Sequence, residues 1–115
     1  MYLHIRTLNF EATDAIRDYV EARVRAAVWP FMSRVMYVVV RLESDAPRRK
    51  DGTMRCHMIA RLGRRGLLIV QARSEDLYQA IDLARDRLKR AVARAVGPRR
   101  RRERRLMEST LAGAA

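Results

Sequence analysis

The sequence predicts an α+β domain of element order β-α-β-β-β-α, a four-stranded sheet with two helices packed on one face. Two stretches repeat apolar residues at three- and four-residue steps, the spacing of a single helix face. Four shorter stretches alternate apolar and polar residues, the spacing of a half-buried strand. Polar and charged breaks, several of them marked by Gly, Pro, Asn or Asp, separate the stretches into distinct elements. The domain is expected to cover residues 1–97, with a basic, disordered tail over 98–115.

Taken in order, Tyr2 to Leu8 places Leu3 and Ile5 opposite His4 and Arg6, a first strand. Asn9 to Ala12 form a turn, and Thr13 is placed to cap a helix from Asp14 to Val28. Its stripe is Ile16, Val20, Val24 and Ala27. Trp29-Pro30 should end it, because proline disfavours helical backbone in the residue before it. Trp29 and Phe31 then read as large side chains closing the core rather than as a base-stacking platform. Val35 to Glu43 is β-branched, with Val38, Val40 and Leu42 inward and Tyr37, Val39 and Arg41 outward. The loop from Ser44 to Gly52 carries Arg48, Arg49 and Lys50.

Thr53 to Leu62 alternates strictly: Met54, Cys56, Met58, Ala60 and Leu62 share one face, Arg55, His57 and Arg61 the other. Gly63-Arg64-Arg65-Gly66 is a hairpin turn exposing two arginines. Leu67 to Arg73 forms the fourth strand, with Leu68, Val70 and Ala72 inward. The clearest helix then runs from Ser74 to Arg94, with Ser74 as its expected cap and Gly97-Pro98 as its stop. Leu77, Ile81, Ala84, Leu88, Ala91 and Val92 form its apolar stripe, and Arg87, Arg90 and Arg94 a basic ridge beside Lys89.

At 115 residues the chain suffices for one modest core. Its one cysteine precludes an internal disulfide, which fits a reducing cytoplasm. No apolar run approaches the ~20 residues a membrane helix needs, and the N-terminus lacks the basic-then-apolar order of a secretory signal. The 25 basic residues, nearly all Arg, exceed the 13 acidic ones to give a net +12. Six arginines against two glutamates give the tail +4, leaving +8 on residues 1–97. A folded unit this basic is suited to a polyanion, with nucleic acid favoured over a membrane surface.

Catalytic and metal chemistry find little support in the residues. His4 and His57 fall on outward strand positions without converging carboxylates or further ligands. Cys56 alternates with core residues and reads as a small buried hydrophobe. Glu75 and Asp76 suit the first turn of a helix. Tyr78 is expected to lay its ring against the sheet.

The run Asp76-Leu77-Tyr78-Gln79-Ala80-Ile81-Asp82, entering a basic helix from a strand, resembles the D-[ML]-Y-x-A-I-[DN] signature of ribosome hibernation promoting factors. That family includes the ribosome-associated translation inhibitors, also called sigma-factor modulation proteins. The likeness extends to Ile5, to the helix opening Thr13 to Val20, to Val38-Val39-Val40 and to the Gly66 turn, so it covers about residues 1–96.

The resemblance implies a fold similar to double-stranded-RNA-binding domains and a cytoplasmic, non-enzymatic role. It implies binding to the small ribosomal subunit, its rRNA and the whole ribosome, in the channel that messenger and transfer RNA use. Idle ribosomes would thereby be silenced in stationary phase or stress. No cofactor, metal, membrane or small-molecule substrate is implied. The matching contact residues are Arg87, Arg90 and Arg94 on the second helix, with Arg23 and Arg25 the nearest equivalents on the first, and Lys89 beside the ridge is a further RNA-binding candidate. Arg64 and Arg65 in the turn are further candidates. The chain is similar to the family's short form, though its tail PRRRRERRLMESTLAGAA is basic where one short-form subgroup is acidic. A general double-stranded RNA or DNA binder is the alternative the same charge allows.

Overall fold

Strand β1 covers Tyr2–Leu8 and helix α1 covers Asp14–Val28, the bounds the residue pattern predicts. The turn between them is set by Asn9, whose backbone takes the left-handed conformation (φ 69°) that Asn tolerates better than most residues. Its amide donates to the Ser44 carbonyl at 3.2 Å, tying the turn to the end of the second strand. Thr13 caps α1 as expected, its hydroxyl accepting from the Ile16 N–H at 3.2 Å.

A computed structural model describes residues 1–45, 52–63 and 66–114, with side chains up to Val96. The remaining strands are β2 (Tyr37–Ser44), β3 (Met54–Arg61) and β4 (Leu67–Ser74), and helix α2 is Leu77–Ala114. The sheet order is β1-β2-β3-β4. Strand β1 runs parallel to β2, as a helical crossover permits, and the other two pairings are antiparallel.

Register brings inward residues into rows, such as Ile5–Val40–Met58–Val70 and Thr7–Leu42–Cys56–Ala72. Both helices lie over these rows. Val20, Val24 and Val28 of α1 meet Ile81, Ala84, Leu88 and Val92 of α2 in one core. Burying a side chain such as Leu88 completely contributes about 2 kcal/mol, so the α2 stripe is a major anchor of the fold.

Three details differ from the sequence pattern. Trp29 does not close the core: it is 72% exposed, on a 3-10 turn (Trp29–Arg34) that follows α1 directly, and Phe31 alone packs inward. Ser74 ends β4 instead of capping α2. The cap is Asp76, whose carboxylate accepts from the Tyr78 N–H at 3.0 Å, while Ser74 accepts from the Asp76 N–H at 3.1 Å and supports the turn.

The helix also passes through Gly97-Pro98 and continues to Ala114, so the segment 98–114, expected as a disordered tail, extends α2. Pro98 lacks the N–H that would reach the Arg94 carbonyl, which removes one rung of the ladder. The Arg, Glu and Leu residues after it are strong helix formers, and the helix resumes beyond that rung.

Candidate nucleic-acid interface

Helical spacing sets Arg87, Arg90 and Arg94 on one flank of α2, and the structure shows which flank. Arg87 donates from Nη1 to the Gln71 carbonyl of β4, so the ridge follows the β4 edge of the sheet. All three arginines are exposed. Among the described residues, the side chains of Arg90 and Arg94 have neither a hydrogen bond nor an ion pair. They are the free cations of the ridge, while Arg87 has committed one of its donors to the scaffold. Lys89, also exposed, stands seven positions beyond Asp82 and shares the other flank of α2, toward α1.

Helix α1 places its two candidates differently. Arg23 donates from Nε to Asp82 Oδ1 at 2.9 Å, and Tyr19 donates its hydroxyl to the same oxygen at 2.7 Å. The Arg23 guanidinium sits 5.7 Å from the Tyr19 ring centre. The bond to Asp82 raises the Arg23 pKa and is also the leading cause of a raised Tyr19 pKa. Arg23 is therefore an interhelical clamp. Arg25 pairs with Glu21 at 3.1 Å and opens on a hollow lined by Leu3, Ile5 and Arg17 at the β1 edge.

The sequence candidates thus do not form one face. Arg25 and the Arg87 ridge lie at opposite edges of the four-stranded sheet, about 14 Å apart at the usual strand spacing. Arg64 and Arg65 lie outside the described residues, as do Arg48, Arg49 and Lys50. His4 and His57 share the open face of the sheet but stand two strands apart and one row out of step. Among the described residues no three metal-ligating side chains cluster. Cys56 is fully buried, and burial pushes its thiol pKa up to about 12.

The geometry also explains the run from Asp76 to Asp82. Asp76 caps α2, and Leu77, Ala80 and Ile81 enter the core. Tyr78 does not lie on the sheet: its ring meets Tyr19 of α1 edge-on, with centres 4.8 Å apart and planes at 82°. Asp82 receives the Tyr19 and Arg23 donors. The run fixes how α2 starts and how it crosses α1, and thereby aims the downstream arginines. Residue types alone do not reveal that clamp, because its two halves are 59 and 63 positions apart.

Comparison with known proteins agrees with this architecture. No curated protein sequence matches the chain. Among solved structures, the N-terminal domain of Thermus thermophilus Protein Y is 33% identical, with TM-score 0.69, covering 82% of this chain and 98% of that one. A ribosomal subunit interface protein from Coxiella burnetii has the same fold at 16% identity and TM-score 0.70, covering 82% of this chain and 96% of its own. Residues 3–100 match the profile of the family described as Sigma 54 modulation protein / S30EA ribosomal protein. With the profile matching residues 3–100, nearly the whole domain, the chain belongs to that family.

Proposed function

We propose that this protein binds the small ribosomal subunit through rRNA phosphates and occupies the channel used by messenger and transfer RNA. It thereby silences translation as a hibernation factor. The observation that carries this reading is the pair of exposed, unpaired guanidinium groups of Arg90 and Arg94, on the flank of α2 where Arg87 bonds to β4. Planar guanidinium donors can bond two phosphate oxygens at once. The family description, which includes a ribosomal protein, supports a ribosomal partner.

In this reading residues 1–97 form the binding unit, and the arginines from 99 to 105 extend the contact along α2. Lys89 and Arg25 are secondary contacts, and Arg64 and Arg65 are contacts from the turn. The protein acts by steric exclusion in the cytoplasm, on both the free small subunit and the whole ribosome, and needs no turnover. The test is exclusion itself. Small subunits carrying a fluorescent messenger and initiator transfer RNA are titrated with the protein. Release of both, with an order-of-addition dependence that reflects mutual exclusion, is expected. Simultaneous occupancy at saturating protein would refute the channel assignment.

A further inference from the structure

The helices cover one face of the sheet and leave the other open. Strand alternation would ordinarily make such a face polar. Here its rows read Tyr2–Tyr37–Arg61–Leu67, His4–Val39–Ile59–Ile69 and Arg6–Arg41–His57–Gln71. Tyr2 is 66% exposed and Ile69 65%, so apolar surface faces solvent. The Tyr2 and His4 rings lie parallel, 6.3 Å apart with 8° between their planes. Tyr2, His4, Tyr37, Val39 and Ile59 line an open hollow of about 690 Å³, with Arg6 and Arg41 on its border.

Charge on this face is one-sided. Its outward positions carry Arg6, Arg41, Arg55, Arg61 and Arg73 against the single acid Glu43. Arg55 is held by Asp45 at 3.0 Å. Among the described residues Arg6, Arg41, Arg61 and Arg73 have no ion pair. The face therefore combines aromatic rings with unpaired cations beside them.

That combination discriminates between partners. A duplex presents phosphates but hides its base faces, so the rings would gain nothing from it. A single strand offers both, with bases free to stack on aromatic rings and phosphates within reach of flanking arginines. Every base has a π-face, so a platform of this kind tolerates sequence. We propose that the open face of the sheet binds single-stranded RNA, with Tyr2, His4 and Tyr37 stacking on bases and Arg6, Arg41 and Arg61 holding phosphates. This surface is separate from the α2 ridge, and the two can be occupied independently.

The test is fluorescence anisotropy of a labelled oligouridine of about 12 nucleotides, a length within the range of single-strand sites. Wild type is expected to bind, and unlabelled duplex to compete poorly. Tyr2→Ala should weaken binding about tenfold, the loss of one stacked base. Tyr2 is exposed on an edge strand, so this change leaves the core untouched. Arg41→Gln should weaken binding and flatten its salt dependence. Arg90→Gln/Arg94→Gln should leave oligouridine binding intact, and Tyr2→Ala should leave binding to small subunits intact. These two arms separate failure of this surface from failure of the ribosomal reading. Equal affinity of wild type and Tyr2→Ala, or full competition by duplex, would overturn the proposal. So would absence of oligouridine binding by wild type, and a Tyr2→Ala effect on self-association would then make a second copy the occupant.

Discussion

The division between free and clamped arginines leads to a quantitative expectation. Arg90 and Arg94 have no partner among the described residues, whereas Arg23 is held by Asp82 and Arg25 by Glu21. Removing one phosphate interaction lowers the log–log salt slope of nucleic-acid binding by about 0.7–0.9. Arg90→Gln/Arg94→Gln should therefore reduce the slope by about 1.4–1.8. Between about 50 and 200 mM salt, the wild-type advantage over this variant should shrink about 7- to 12-fold. Arg23→Gln should leave the slope unchanged and act on stability, because its partner is a carboxylate of the protein itself. The assay is binding to purified small subunits across the salt series, with urea unfolding of each variant in parallel. A slope change for Arg23→Gln equal to that of the ridge variant would refute the clamp. An unchanged slope for the ridge variant would remove Arg90 and Arg94 from the interface.

Other expectations concern the scaffold. Asp76→Ala should destabilise the fold by about 1 kcal/mol in urea melts through loss of the α2 cap, with subunit binding restored once the protein is folded. Gly66 has φ 87° and open space where a methyl group would stand, so Gly66→Ala should cost about 1–2 kcal/mol from backbone strain alone, read as a lower thermal midpoint. Cys56 should react with a thiol reagent only on unfolding. Its folded pKa is raised to about 12, so its contribution to stability is fully present below the unfolded value of 9.0 and is lost as pH rises from there toward 12. Global unfolding measured across that window, in wild type and Cys56→Ala, checks the sign.

Much of the fold is written in short-range pattern. Strand β1 and helix α1 have the bounds that alternation and the Thr13 cap imply, and the inward sets of β2 and β3 are the buried ones except for half-buried Met54 at the start of β3. Family membership is legible too, because seven adjacent residues carry the signature. What stays hidden depends on residues meeting across the chain. Arg23 looks like a surface cation until α2 brings Asp82 to it, and Arg87 looks free until β4 offers a carbonyl. Trp29 departs from its expected place because hydrophobic size suggests burial, whereas the 3-10 turn carries it outward. At Gly97-Pro98 a local stop motif meets strong helix formers on both sides, and those prevail.

The open face shows the same limit from another side. Tyr2, His4, Arg6, Tyr37 and Arg41 alternate correctly within their own strands, yet only the parallel register of β1 with β2 assembles them into one surface. Outward apolar residues in an isolated strand carry no message. Several of them in neighbouring rows, bordered by unpaired arginines, do.

Recognition of the small ribosomal subunit through the α2 ridge is tested most directly by co-sedimentation with separated subunits and whole ribosomes. Arg90→Glu/Arg94→Glu and a competing RNA duplex run alongside. Saturable pelleting with the small subunit and the whole ribosome, lost in the variant and resistant to duplex, is the expected result. Equal pelleting with both subunits, abolished by any duplex, would contradict that recognition and identify a general double-stranded nucleic-acid binder instead.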